Sequence, residues 1–341
     1  MRCAAAGVYT TNKVCGAPIK VDRAHLKDGY AQAIIVNSGN ANTCAANGVA
    51  LAEECCELVG KELGIDPQDV LPASTGVIGQ PMVIDPFARG IPAAAAKLAA
   101  DEQGSTDAAT AIMTTDTRPK EAAVTFSGDG IGYDGCTFTV GGMSKGSGMI
   151  MPNMATMIAV LTTDAPVSAP ALHRALVHAV NRSFNKVTVD SDTSTNDSCF
   201  LFASGAAAPA GASAFDPDGP AFARFQAALV EVCETLARMM AADGEGATRL
   251  VTVHVTGAAN DTDADLAARA VANSPLVKTA VCGRDANWGR IAAAIGKSGA
   301  VFRQEDASID IMGLPVCRGG LATKEKYEHE HQLQACSRVE M

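Results

Sequence analysis

Short β-branched runs and helical-period segments alternate along the whole chain, which restricts it to a mixed α and β architecture. Ala33-Ile34-Ile35-Val36 reads as a short buried strand closed by a polar glycine turn, Asn37-Ser38-Gly39-Asn40. Val49, Ala52, Cys56, Val59 and Leu63 recur at three- and four-residue steps, which predicts an amphipathic helix over 49–63. An alanine-rich helix is expected over 91–100, and strands over 122–126, 137–140 and 157–161. The second half repeats the pattern: a helix over 170–180, strands at 187–189 and 199–203, and a long helix within 217–242 opening near Gly219-Pro220. A strand is expected over 250–255 and a helix from Thr262, with Asp263 and Asp265 favouring its N-terminal dipole. No internal repeat is visible, and 206–219, rich in Ala, Pro, Gly and Asp, reads as a long surface loop rather than a domain boundary.

With 341 residues, 48% of them hydrophobic, the chain can bury a large core and exceeds one typical domain in length. Aromatics make up only 4%, so Ala, Val, Ile, Leu and Met must build that core. A net charge of −10 argues against nucleic acid or an anionic membrane as partner, since either needs a basic face. No run approaches the roughly 18 apolar residues of a membrane span. The opening segment reaches polar Thr10-Thr11-Asn12 too soon for a signal-peptide apolar region of about 7–15 residues. Eleven cysteines, with Cys55-Cys56 the only close pair, suit reduced thiols in a reducing compartment, and a cytoplasmic location is expected (an organellar matrix in a eukaryote). The histidines show no metal spacing; His329 and His331 sit in a polar tail that reads as solvated, and no metal is expected.

Five segments could carry chemistry. In Lys145-Gly-Ser-Gly-Met-Ile-Met-Pro-Asn-Met-Ala-Thr156, a threonine follows an alanine, with glycines and a lysine upstream and an apolar run downstream. Such a hydroxyl can attack the carbonyl of Ala155 and break the chain. The freed α-amine, with a pKa near about 8, can then act as base for its own hydroxyl. The alternative is a buried threonine at the start of a strand. Lys145 can hold a carboxylate as a point charge; the Lys-Gly-Ser-Gly order does not match a phosphate loop. Ala73 to Gly79 reads as a polar glycine turn in which Ser74-Thr75-Gly76 sets a hydroxyl beside a glycine amide, an oxyanion donor pair or else a simple cap. The polar run Asp190-Ser-Asp-Thr-Ser-Thr-Asn-Asp197 suits turns, or a pocket lining or cation site. Asp243-Gly244-Glu245-Gly246 ends the long helix; Glu245 can meet a substrate ammonium or sit in a solvated turn. Gly283 to Arg290, with the only tryptophan, could order around a carboxylate or form a structural corner.

Together these motifs closely resemble the ornithine acetyltransferase family, also called bifunctional glutamate N-acetyltransferase. The likeness is carried by Ala5-Ala6-Gly7-Val8-Tyr9-Thr10-Thr11-Asn12, Val36-Asn37-Ser38-Gly39-Asn40-Ala41-Asn42, Ser74 to Gly79 and Met113-Thr114-Thr115-Asp116-Thr117. It continues through Lys145 to Met157, Asp192 to Asp197, Asp243 to Ala247 and Gly283 to Arg290, in the family's order. The resemblance implies an α+β fold, a layered αββα sandwich similar in arrangement to the N-terminal-nucleophile hydrolases. It implies self-cleavage between Ala155 and Thr156, giving an α chain of residues 1–155 and a β chain of 156–341 that assemble as an α2β2 heterotetramer. Thr156 would take the acetyl group of N2-acetylornithine and pass it to glutamate by a ping-pong route in arginine biosynthesis. Some members also use acetyl-CoA; no cofactor is implied. Thr75 and Gly76 match the oxyanion pair, and Thr114, Lys145, Thr156 and Glu245 match substrate-binding positions.

The sequence departs from the family pattern in three places. It starts almost at the Ala-Ala-Gly-Val-Tyr motif, and Met151 stands where the family has His. Residues 321–341 form a charged tail without the asparagine and threonine that close the family's site, so those two ligands are not assigned. Two other readings follow: an inactive or fragmentary homologue, or a hydrolase of the aminopeptidase or amidase kind on the same scaffold.

Overall fold

The computed structural model describes residues 1–151, 157–324 and 339–340. The chain forms two compact units, Met1–Glu245 and Gly246–Met341. The expected cut at Ala155-Thr156 is a covalent division, not a spatial one, and lies outside the described residues.

The first unit contains β1 (Cys3–Tyr9), α1 (Ala17–His25), β2 (Tyr30–Ala31), β3 (Ala33–Asn40), α2 (Gly48–Leu63), β4 (Val70–Val77), α3 (Asp85–Ala95) and α4 (Glu102–Ala111). It continues with β5 (Lys120–Ser127), β6 (Thr137–Lys145), β7 (Ile158–Thr163), α5 (Ala169–Arg182), β8 (Ser198–Ala203) and α6 (Pro220–Ala242). A six-stranded sheet runs β2-β1-β8-β7-β6-β5, with β7 and β8 parallel and the other neighbours antiparallel. β3 and β4 pair in parallel as a second sheet.

The period-two alternation of β7 and β8 sorts their side chains between two cores. Ala159, Leu161, Cys199 and Leu201 face α5 and α6, meeting Leu172, Leu176, Phe225, Leu229 and Leu236. Ile158, Val160 and Phe200 face the other way, onto Leu71, Ala73, Ile34 and Val36 of the two-stranded sheet. The far side of that sheet, Ala33, Ile35 and Val70, packs on Val21 of α1 and Ala52, Cys56 and Val59 of α2. Four layers result, α5/α6, large sheet, small sheet and α1/α2, an α+β arrangement matching the expected αββα sandwich. Strands buried on both faces explain the unbroken apolar runs in the sequence. Each large side chain so buried contributes about 1.5–3 kcal/mol. Aromatics concentrate at one end, where Phe215 lies 5.2 Å from Phe138 and 4.8 Å from Tyr133, centroid to centroid.

The second unit contains β9 (Val251–Thr252), α7 (Asp261–Ala272), α8 (Pro275–Cys282), α9 (Trp288–Gly296), β10 (Ile309–Ile311), β11 (Leu314–Arg318), β12 (Leu321–Ala322) and β13 (Val339–Glu340). Its core joins Val271, Val277, Ile291, Ile309, Ile311 and Val316. The side chains of Asn260, Ser274 and Asn287 cap its three helices.

Several expectations need correction. The Asn37-to-Asn40 and Ser74-to-Gly76 segments are not turns but the paired ends of β3 and β4, with Ser38 opposite Thr75 and Gly39 opposite Gly76. Pairing with a neighbour overrides turn propensity there. The helix expected over 91–100 is Asp85–Ala95, which tolerates Pro92, and a further helix, Glu102–Ala111, follows it without a clear sequence signal. Residues 187–189 form no strand, because Val187 follows a tight turn and Val189 N–H donates to Ile150 O. Within 250–255 only Val251–Thr252 pairs, with Val339–Glu340.

Candidate active site

The ends of β4 and β6 bring the first predicted residues together. Thr75 is buried at the end of β4, and Gly76 follows with a φ of 131°. A Cβ at Gly76 would lie 2.2 Å from the carbonyl carbon of Gly39, so glycine is required by both conformation and space. β6 ends at Lys145, only 2% exposed. Its ammonium donates to Thr114 Oγ1 at 2.7 Å and to Thr75 Oγ1 at 3.4 Å. Thr114 comes from the exposed segment after α4, so three separate stretches of chain converge on one ammonium.

Glu245 joins through the loop that follows Lys145. Its N–H donates to Ser147 O at 2.9 Å. A Cβ on Gly148 would lie 2.5 Å from the Glu245 carboxyl carbon, which places that carboxylate against the bare glycine. Ser147 Oγ donates to Asp243 O at 2.8 Å. Met149 and Ile150 N–H groups both donate to the Asp190 carboxylate, at 2.5 and 2.9 Å, and anchor the loop at these two residues. Ala155 and Thr156 lie outside the described residues. The chain is described again at Met157, whose N–H donates to Asp197 Oδ1 at 3.0 Å.

Beneath this cluster lies a buried charge network that the sequence reading missed. Lys120, wholly buried, donates to Asp116 Oδ1 and to Asp243 Oδ2, each at 2.6 Å. Asp116 also accepts Gly146 N–H at 2.7 Å and Thr114 N–H at 3.2 Å, and its Oδ2 lies 3.9 Å from Lys145 Nζ. Asp243 accepts both the hydroxyl and the N–H of Thr117. Burial acts most strongly on both carboxyls and would raise their pKa values. The Lys120 hydrogen bond and neighbouring donors outweigh it, and both lie below the usual range. Burial lowers the Lys145 pKa; the Asp116 charge opposes that shift and the Lys120 charge reinforces it. Burial pushes the Asp197 carboxyl well above its usual range. Nothing in the spacing of Asp116, Lys120 and Asp243 signals the network, since it is closed by strand and loop geometry. A lysine opening an apolar strand was the one available hint.

The other two motifs are held by hydrogen bonds to neighbouring segments. Asn196 donates to Ala41 O at 2.6 Å and Ser74 O at 3.0 Å and accepts the Thr43 hydroxyl at 2.6 Å, tying the 190–197 run to β4. No cluster of metal-ligating side chains occurs among the described residues. In the Gly283-to-Arg290 segment, Arg290 donates to Leu276 O and Thr279 Oγ1, at 2.8 and 2.9 Å, the structural-corner alternative. No described helix is long and apolar enough to cross a membrane.

The family model described as the ArgJ family matches residues 1–341. The chain belongs to the ArgJ family. It is 50% identical over 319 residues to an arginine biosynthesis bifunctional protein ArgJ of Symbiobacterium thermophilum, covering 93% of this chain and 77% of that relative. A relative of the same description from Geobacter sulfurreducens is 46% identical over 319 residues, covering 93% and 79%. Among solved structures, ArgJ of Bacillus halodurans is 42% identical, with a TM-score of 0.49 over 54% of this chain and 84% of that one. An ornithine acetyltransferase of Mycobacterium tuberculosis, complexed with ornithine, is 35% identical, with a TM-score of 0.40 over 44% and 77%.

Proposed function

We propose that this ArgJ-family chain is a self-processing acyltransferase of arginine biosynthesis that moves the acetyl group of N2-acetylornithine to glutamate. The observation that supports this best is the convergence of Thr75 and Thr114 within 3.4 Å of the Lys145 ammonium, next to Gly76.

The Thr156 hydroxyl attacks the Ala155 carbonyl, the acyl group shifts from nitrogen to oxygen, and water hydrolyses the ester. This leaves Ala155 as a carboxylate and Thr156 with a free amine. That amine takes the hydroxyl proton as Thr156 Oγ adds to the acetyl carbonyl. The Thr75 hydroxyl and the Gly76 N–H stabilise the oxyanion. Collapse breaks the amide bond, and the departing ornithine amine carries the proton away. The acetyl ester on Thr156 is then attacked by the amine of glutamate, releasing N-acetylglutamate and restoring the hydroxyl. Lys145, beside Thr114, holds the substrate α-carboxylate as a point charge, and Glu245 meets the side-chain ammonium of ornithine. Acetyl-CoA is a possible second acetyl donor. The two chains would assemble as α2β2 in the cytoplasm.

Ornithine release from N2-acetylornithine, measured with and without glutamate, tests the reading. Release that depends on glutamate supports a transferase. Equal release without it would replace the transferase with an amidase on the same scaffold. No release from folded protein would favour the inactive homologue.

A further inference from the structure

We infer that Lys120 is a positioning residue: by occupying the Asp116 carboxylate it keeps the Lys145 ammonium on Thr114 and Thr75, where a ligand can use it. Two ammonium groups and two carboxylates are buried together here, and their pairing is uneven. Lys120 bonds Asp116 and Asp243 at 2.6 Å each and has 0% side-chain exposure. Lys145 stands 3.9 Å from Asp116 Oδ2 but 2.7 Å from Thr114 Oγ1. It is thus the one of the two that contacts neutral hydroxyls first and a carboxylate only at longer range. That asymmetry requires Asp116 to be neutralised by another cation. A buried carboxylate without its own counter-charge is costly, and an ammonium under 4 Å away would close on it.

The same lysine organises the opposite wall. Asp243, its second partner, lies two residues before Glu245, and its carbonyl oxygen accepts the Ser147 hydroxyl at 2.8 Å. Asp116 passes its other lone pairs to Gly146 N–H, the residue after Lys145. Lys120 therefore links the strand end bearing Lys145 to the turn bearing Glu245 without touching the place where a substrate would lie.

The kinetic part rests on the proposed function; the structural part does not. The first measurement is a crystal structure of Lys120→Met, with Lys120→Met/Asp243→Asn as a charge-balanced second variant should the first not fold. In either, Lys145 Nζ is expected to leave Thr114 and bond Asp116 directly. Lys145 still on Thr114, with Asp116 near 3.9 Å, would overturn the inference whatever the protein catalyses. The second measurement is steady-state kinetics on N2-acetylornithine. Lys120→Met is expected to raise KM and lower kcat/KM by about 100-fold, the scale of a misplaced binding group. Adding Asp116→Asn, which removes the competing carboxylate, is expected to recover much of that loss. An unchanged KM in Lys120→Met, or no recovery in the Asp116→Asn double variant, would contradict the positioning role. Wild-type protein without acetyl transfer would overturn the functional reading and leave the crystallographic test standing.

Discussion

Glu245 and Ser147 are joined by a main-chain hydrogen bond of 2.9 Å, and this bond lays the Glu245 carboxylate against Gly148. The glycine leaves no room for more: an added Cβ would lie 2.5 Å from that carboxylate. Because the obstructing atoms are the far end of a flexible side chain, Gly148→Ala is expected to displace Glu245 while the fold survives. The expected outcome is a KM for N2-acetylornithine raised by about tenfold, the effect of losing one modest binding contact. The melting temperature should stay within a few degrees. Kinetics beside a thermal melt check it; an unchanged KM would remove Glu245 from the ligand's surroundings.

Gly76 is a different case. Its φ of 131° and the Gly39 backbone, 2.2 Å from where a Cβ would stand, leave nothing soft to yield. Gly76→Ala is expected to cost more than about 2 kcal/mol, combining strain with forced movement of β3 from β4. Gly79→Ala, with a φ of 79° and nothing within 4 Å, isolates the conformational part and is expected to cost about 1–2 kcal/mol. Urea denaturation of the two variants separates them. Equal losses would show that the close approach of the strands contributes nothing.

Asn196 holds Ser74, the residue before Thr75, through a buried bond to its carbonyl oxygen. Asn196→Ala leaves the carbonyl oxygens of Ala41 and Ser74 without this partner. A loss of about 1–3 kcal/mol is expected in chemical denaturation. A loss below about 0.5 kcal/mol would class the residue with ordinary surface positions.

Much of the layered fold was legible because strands and helices carried different apolar periods. The α2 helix followed directly from three- and four-residue steps, and the start of α6 from Gly219-Pro220. The ends of β3 and β4 were not legible. Asn37, Ser38 and Gly39 carry turn chemistry, and only the parallel partner strand makes them extended. Motif resemblance singled out Thr75, Thr114, Lys145 and Glu245, and the fold brings the first two onto the Lys145 ammonium. Their support was not legible: Asp116 and Lys120, four residues apart, meet Asp243 only when the start of β5 folds against the end of α6. The polar 190–197 run suited turns, a pocket lining or a cation site. Its Ser194, Thr195, Asn196 and Asp197 are buried, which polarity alone did not signal, with Asn196 and Asp197 bonded to neighbouring main chain.

Asp22 in α1 is fully buried, and neither carboxyl oxygen has a hydrogen-bond partner among the described residues. Burial raises its pKa well above the ordinary 3.8. A raised folded-state value means the unfolded chain ionises first. Stability is therefore lost as pH rises above about 4 and until the folded-state group also ionises. Asp22→Asn removes this loss. Its stability relative to wild type is expected to grow from about pH 4 towards neutrality, taking the difference at acid pH as baseline. Denaturation across that range checks it; a constant difference would contradict a protonated buried carboxyl.

The central claim, that Thr156 becomes an acetylated N-terminal nucleophile, is tested most directly by intact mass. The purified protein is measured alone, with N2-acetylornithine, and then with added glutamate, beside Thr156→Ala. Cleavage before Thr156 divides the 34.9 kDa chain after residue 155 of 341, giving fragments of about 16 and 19 kDa. The expected result is that the larger fragment gains about 42 Da, one acetyl ester, with N2-acetylornithine and loses it when glutamate is added. Thr156→Ala should remain a single intact chain without the adduct. A single intact chain from folded wild-type protein, or cleaved fragments that never take up the acetyl mass, would contradict it.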